Sequence, residues 1–151
     1  MKTRGGFTLI ELLTAIVIIG ILASGMLLSG GSATSSARAL TIVNDLRVMK
    51  EAVLLLYIDS MDYFDKGGDF GGLTPGTVLA QYVDNPGKYD NRYKFAVRDG
   101  RWYVSYRIGD GDAGAGDIRG RLAGRAQSTG LFESTRGDVY KGGETVYMLA
   151  R

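Results

Sequence analysis

Residues 4–13 read Arg-Gly-Gly-Phe-Thr-Leu-Ile-Glu-Leu-Leu and open the most apolar part of the chain. The 22 residues from Phe7 to Leu28 carry one charged side chain, Glu11. As an α-helix this segment would be about 33 Å long at about 1.5 Å per residue, enough to cross the hydrocarbon core of a bilayer. Lys2 and Arg4 precede it, and such basic residues favour an N-terminus left in the cytoplasm. The sequence therefore predicts a single membrane anchor with the rest of the chain outside.

Three kinds of N-terminal segment agree with this pattern. One is a plain signal anchor. Another is a secretory signal peptide, for which Gly31-Ser32-Ala33 offers the small residues of a cleavage site. The third takes account of the glycine pair directly before Phe7 and of Glu11 four residues further on. A carboxylate inside a membrane segment costs a few kcal/mol, so it usually has a functional partner.

The segment from Arg4 to Leu13 resembles the class III signal sequence of type IV pilins and type II secretion pseudopilins, and the likeness is strong over about residues 4–24. In that family a prepilin peptidase cuts after the glycine and methylates the new N-terminal amine. The resemblance implies cleavage between Gly6 and Phe7, N-methylation of Phe7, and a role for Glu11 in assembly. Burying an unpaired amine or an unpaired carboxylate in a filament core costs several kcal/mol, whereas an amine and a carboxylate buried as a pair compensate each other.

The organisation that follows is a leader at residues 1–6, a membrane or filament-core helix at 7–28, an amphipathic continuation at 29–58 and a globular head at 59–151. In the continuation, every third or fourth residue is apolar, which predicts one buried helical stripe: Ile42, Leu46, Met49, Val53 and Leu56. Asp45 and the other polar residues of this segment lie largely off that stripe. We expect an α+β, pilin-like fold, in which one helix from about Phe7 to Ile58 packs on a small antiparallel sheet.

The junction between the two halves of this helix is rich in glycine and serine, at Gly25 and at Ser29-Gly30-Gly31-Ser32. Each glycine weakens a helix by about 1 kcal/mol relative to alanine. Many members of the resembled family carry a proline here, whereas this chain has Leu28. The composition favours local melting or bending around residues 25–31 of the helix, which would let a filament stretch.

The head contains strong local signals for turns and strands. Asp99-Gly100 separates two strand-like runs, 93–98 and 101–108, and predicts a β-hairpin. A further strand is predicted at 144–149, after Gly142-Gly143. Short helices are predicted at 75–83, with Thr74 as N-cap, and at 117–127, with Asp117 as N-cap. Residues 59–72 are expected to be an irregular connecting loop.

One loop has the composition of a cation site. Residues 109–117 place Asp110, Asp112 and Asp117 among four glycines, and closely spaced carboxylates suit calcium. Major pseudopilins have a calcium site in a late loop, so the resemblance points the same way. The ligand spacing of an EF-hand is missing, however, and most loops of this composition are solvated turns. Two alternatives therefore remain for this loop: a calcium site at these three residues, or a solvated turn that binds no metal.

The composition excludes several chemistries. The chain has no cysteine and no histidine, so disulfides, thiol nucleophiles, histidine bases and Cys/His zinc sites are ruled out. The net charge of +2 equals the contribution of Lys2 and Arg4 in the leader, and no long basic run suggests nucleic acid binding. No catalytic constellation stands out, and we do not expect an enzyme.

The resemblance implies a structural role. The precursor would sit in the inner membrane with its head outside, be processed by prepilin peptidase, and polymerise on an inner-membrane assembly platform. The product would be a helical homo-oligomeric filament, joined by minor pilins: a type IV pilus at the cell surface or a periplasmic type II secretion pseudopilus. The alternative is a secreted binding module released by signal peptidase near Ala33.

Overall fold

The computed structural model describes residues 6–59, 75–89 and 91–151. In these residues a long N-terminal helix is followed by a four-stranded antiparallel sheet and a second substantial helix, which confirms the predicted α+β, pilin-like fold class. Most of the predicted leader, most of the loop at 59–72 and the predicted cap Thr74 lie outside the described residues.

Helix α1 spans Leu9–Asp59, close to the predicted bounds. The chain divides into two compact units, residues 1–34 and 35–151, and α1 contributes to both. The helix continues without a break through Gly25 and Gly31, where the glycines predicted a weak segment. Melting of this segment in an assembled filament stays a prediction.

The second half of α1 supplies one side of the hydrophobic core of the globular unit. Ile42, Leu46, Met49 and Val53 are buried, as their spacing predicts, and Leu56 packs at the edge of the core. One apolar cluster joins these side chains to others from the sheet and from the second long helix, among them Trp102, Val104, Ile118, Leu122, Leu131, Val146 and Met148. Burial of this helical stripe fixes the second half of α1 within the globular unit.

The sheet has the strand order β1-β2-β4-β3, with every neighbouring pair antiparallel. Strands β1 (Tyr93–Arg98) and β2 (Arg101–Arg107) form the predicted hairpin. Its turn residues Asp99 and Gly100 have φ angles of 51° and 71°, the left-handed pair that a two-residue turn of this kind requires. Strand β4 (Thr145–Leu149) follows the predicted strand closely.

The end of the chain is tied to β2. The Trp102 N–H donates to the Arg151 carbonyl at 2.7 Å, and the Ala150 N–H donates to the Trp102 carbonyl at 2.8 Å. The Arg151 guanidinium also lies 3.3 Å from the centre of the Tyr57 ring, in a cation–π contact. Ala150 and Arg151 are therefore part of the folded unit.

The helix predicted at 117–127 is longer than expected and is not capped by Asp117. Helix α3 spans Ala115–Thr129, with Gly114 at the N-cap and no side-chain cap. The chain enters the helix through the left-handed φ of 76° at Gly114, where a Cβ would lie 2.6 Å from the Ser35 Oγ. Only glycine fits there, so the helix starts two residues before Asp117, which lies in its first turn.

Two further elements differ from expectation. The helix predicted at 75–83 is a single turn, α2 (Pro75–Val78). The Tyr82 N–H donates to the Leu79 carbonyl at 2.8 Å, so the backbone tightens into a turn around the fully buried Leu79. Strand β3 (Leu131–Phe132) has only two residues and no sequence signal predicted it.

Asp45 is buried, although it lies off the apolar stripe of α1. Only 6% of its surface is accessible. Its Oδ1 accepts a hydrogen bond from the Lys88 Nζ at 2.6 Å, and its Oδ2 accepts one from the Tyr93 hydroxyl at 2.6 Å. A carboxylate is tolerated at this depth because both its oxygens are paired.

Candidate processing and assembly site

The N-terminus of α1 is closed by a capping box. The Glu11 N–H donates to the Thr8 Oγ1 at 3.4 Å, while the Thr8 N–H donates to the Glu11 Oε2 at 2.9 Å. The Thr8 hydroxyl also donates to the same oxygen, at 2.6 Å. The two side chains satisfy backbone donors that a helix start leaves open. Thr8 was missed in the sequence, although Thr-x-x-Glu before an apolar run is a recognised N-terminal signal.

Glu11 keeps an unused acceptor. All its hydrogen bonds to Thr8 go to Oε2, and Oε1 accepts none from any residue in the described ranges. A carboxylate has about four lone-pair sites, so Glu11 can hold the cap and still receive a second donor. The cap and the predicted ion pair would therefore not compete for the same oxygen.

The predicted scissile bond lies outside the helix. Gly6 and Phe7 precede the first helical residue, Leu9, and neither belongs to a strand. Phe7 is 85% exposed, and no heavy atom lies within 4 Å of the place that a Cβ on Gly6 would take. The peptide bond between them is open to a peptidase without unwinding of α1.

The first half of α1 has the length and composition of a membrane span. The 18 residues Leu9–Met26 have a mean hydropathy of 2.3, and none of the segment is buried in the structure. Its hydroxyl groups turn back to the helix, since Thr14 donates to the Ile10 carbonyl at 3.0 Å and Ser24 to the Gly20 carbonyl at 2.8 Å. These bonds hide polar atoms from an apolar environment.

Two of the three carboxylates of the predicted calcium loop, Asp110 and Asp112, are bonded to arginines. Both oxygens of Asp112 accept from the Arg92 Nη1, at 2.5 and 2.7 Å. Asp110 accepts from the Arg119 Nη2 at 2.8 Å. In the part of the chain that the structure describes, no three His, Cys, Asp or Glu side chains are placed to hold a metal ion, so Asp110, Asp112 and Asp117 do not form such a group. The donor set fits guanidinium groups better than calcium, whose binding here stays a prediction.

The contacts around Asp112 also set its protonation. The Arg92 guanidinium holds the pKa of the Asp112 carboxyl below its usual value, with a further contribution from the Gly109 N–H, which donates to Oδ2 at 3.0 Å. Arg119 additionally donates to the Ile108 carbonyl at 3.0 Å. The loop between β2 and α3 is thus fastened on both sides by arginine.

Comparison with known proteins supports the N-terminal assignment. Residues 1–27 match the model of the prokaryotic N-terminal methylation motif, the class III signal sequence of type IV pilins and pseudopilins. The match includes Gly6, Phe7 and Glu11 and stops before the globular unit. Neither a curated protein nor a solved structure matches the chain.

Proposed function

We propose that this chain is the precursor of a filament subunit, cut between Gly6 and Phe7, methylated on the new Phe7 amine, and polymerised through α1. One observation carries the proposal: the methylation motif leads directly into an apolar helix whose side chains are exposed. The role is structural, and catalysis has no part in it.

The exposed apolar surface of α1 explains why the chain needs two environments. Exposed fractions reach 82% at Leu9, 70% at Ile10 and 68% at Ile21. Large contiguous apolar surfaces do not stay in water. A bilayer covers this surface before assembly, and the helices of neighbouring subunits cover it afterwards.

Glu11 supplies the electrostatic part of assembly. Cleavage creates a positive amine at Phe7, and the free Oε1 of Glu11 in a neighbouring subunit accepts it. The pairing compensates two buried charges in the filament core, each of which would be costly to bury alone. The cap on Thr8 holds the Glu11 side chain in place, so less entropy is lost when the pair forms.

Two filaments remain candidates, a type IV pilus and a type II secretion pseudopilus. In either case the partners are prepilin peptidase, an inner-membrane assembly platform, further copies of the chain and minor pilins. The absence of cysteine leans toward a pseudopilin, because many pilins close a C-terminal loop with a disulfide. A neighbouring secretin and secretion ATPase would indicate the pseudopilus, and a retraction ATPase would indicate the pilus.

The mass and N-terminal sequence of the mature protein from its native host test the proposal. A chain that starts at methylated Phe7 supports it. A chain that starts near Thr34 would identify the alternative, a secreted module released by signal peptidase. An intact Met1 would leave a plain membrane anchor. The alternative requires a cut beside Ala33, which lies inside the continuous helix α1.

A further inference from the structure

The connection from β3 to β4 carries an exposed Arg-Gly-Asp tripeptide. Arg136, Gly137 and Asp138 are all exposed, in a part of the globular unit that the structure describes without a gap. The Glu133 N–H donates to the Asp138 carbonyl at 2.8 Å and closes the segment into a loop. We call residues 133–138 the Arg-Gly-Asp loop. It presents a cation and a carboxylate to solvent with a single glycine between them.

The backbone of the Arg-Gly-Asp loop is held by its own hydrogen bonds. The Arg136 N–H donates to the Ser134 Oγ at 3.1 Å, and the Gly137 N–H donates to the Ser134 carbonyl at 3.4 Å. Gly137 has a φ of 92°, which glycine adopts without strain. Directly after the loop, Val139 forms an isolated β-bridge with Phe132. A loop braced in this way loses little conformational entropy when it binds a partner.

The two charged side chains of the loop are not paired. No ion pair joins Arg136 to Asp138, or joins either of them to another residue of the described ranges. Asp138 receives one long hydrogen bond, from the Ser134 hydroxyl to Oδ2 at 3.4 Å, and its Oδ1 accepts none among those residues. A partner that engages both side chains must therefore offer an anionic group to Arg136 and a cationic centre to Asp138.

We propose that the Arg-Gly-Asp loop is an adhesive site, which docks on a receptor with an acidic pocket for Arg136 and a bound divalent cation for Asp138. A guanidinium matches a carboxylate with two parallel hydrogen bonds. A carboxylate oxygen is the ligand that Mg²⁺ and Ca²⁺ prefer, so Asp138 suits an open coordination position of such an ion. An exposed ion pair with a lysine or arginine of the partner would contribute only about 0–1 kcal/mol. The contact goes beyond filament formation, because the loop lies outside α1.

Surface plasmon resonance tests the proposal, with the full-length chain in detergent micelles as analyte. The immobilised probe is the ectodomain of an integrin, a receptor class with such a pair of sites, and empty micelles are the blank. We expect saturable binding in Mn²⁺ that EDTA abolishes. Asp138→Asn should weaken binding at least about tenfold, because the amide keeps an acceptor for Ser134 but loses the charge that the cation attracts. Arg136→Gln should weaken it as well.

Asp99→Asn is the matched control, because Asp99 is an exposed carboxylate at the turn of another hairpin, and it should bind like the wild type. The peptide Gly-Arg-Gly-Asp-Ser should displace the wild-type chain, whereas Gly-Arg-Gly-Glu-Ser should not, and this comparison needs no variant to fold.

Any of four results would overturn the proposal: no saturable binding, binding that persists in EDTA, unchanged affinity in Asp138→Asn, or equal displacement by the two peptides. The assay uses single subunits, so its failure leaves the proposed filament role intact.

Discussion

Replacement of Asp45 by alanine should destabilise the globular unit by removing the acceptor of two hydrogen bonds. The Tyr93 hydroxyl, on a side chain that is only 5% exposed, would lose its partner at a cost of about 1–3 kcal/mol. The Lys88 side chain is 42% exposed, so water replaces much of its ion pair, and that loss adds at most about 1 kcal/mol. We expect a total of about 1–4 kcal/mol in the free energy of unfolding.

Urea unfolding of the full-length chain in detergent micelles measures this change. Trp102 is the single tryptophan and is 3% exposed, so its fluorescence reports on the core. Glu51→Ala is the matched control, because Glu51 is an exposed carboxylate on the same helix. The control should change the free energy of unfolding by no more than about 0.5 kcal/mol.

A double-mutant cycle separates the hydrogen bond from other effects of the substitution. Tyr93→Phe removes the hydroxyl alone, and it should cost about 1 kcal/mol in the wild-type background. In the Asp45→Ala background the same change should cost almost nothing, since the acceptor is already gone. Effects that add to within about 0.5 kcal/mol would refute the coupling of these two residues.

Four further predictions concern the helix start, the loop after β2 and the buried Tyr140 hydroxyl. Glu11→Ala should be cleaved normally yet yield few filaments, and normal filament yield would refute the assembly role. Thr8→Ala should speed amide hydrogen exchange in the first turn of α1, because loss of the cap lowers the free energy of opening that turn by about 1 kcal/mol. Thr8→Ser should leave the exchange rate unchanged. Equal exchange rates in the two variants would contradict the capping box. If the predicted calcium site forms, calcium should raise the melting temperature; an unchanged melting temperature would contradict that site and would agree with the pairing of Asp112 with Arg92. Burial raises the pKa of Tyr140 to about 12, so its contribution to stability is complete below about pH 10 and is lost as the pH rises from 10 toward 12. Alkaline unfolding curves followed by tyrosinate absorbance check this, and a flat stability between pH 10 and 12 would contradict it.

The parts of the fold that follow from local chemistry could be predicted from the sequence. The apolar run and the stripe of apolar residues at every third or fourth position predicted α1, and Asp99-Gly100 predicted the hairpin. Each of these signals lies within a few neighbouring residues. The capping box of Thr8 and Glu11 was open to the same kind of prediction, since the motif spans four residues.

The remaining features depend on residues far apart in the chain. Asp45 is buried because it pairs with Lys88 and Tyr93. These partners lie 43 and 48 residues further along the chain, so the periodicity of α1 does not reveal them. Strand β3 exists through its pairing with β4, and two residues alone carry no strand signal. The arginine contacts in the loop after β2 likewise join residues from separate elements.

The tie between the C-terminus and β2 has a practical consequence for labelling. An affinity tag fused after Arg151 would extend a segment whose backbone is hydrogen-bonded to Trp102, and it would crowd the contact of Arg151 with Tyr57. A purification handle or fluorophore is better inserted at the Asp99-Gly100 turn, where both residues are exposed and their backbone pairs only within the hairpin. Filament and binding assays that use a C-terminal fusion should therefore be repeated with the label at the hairpin.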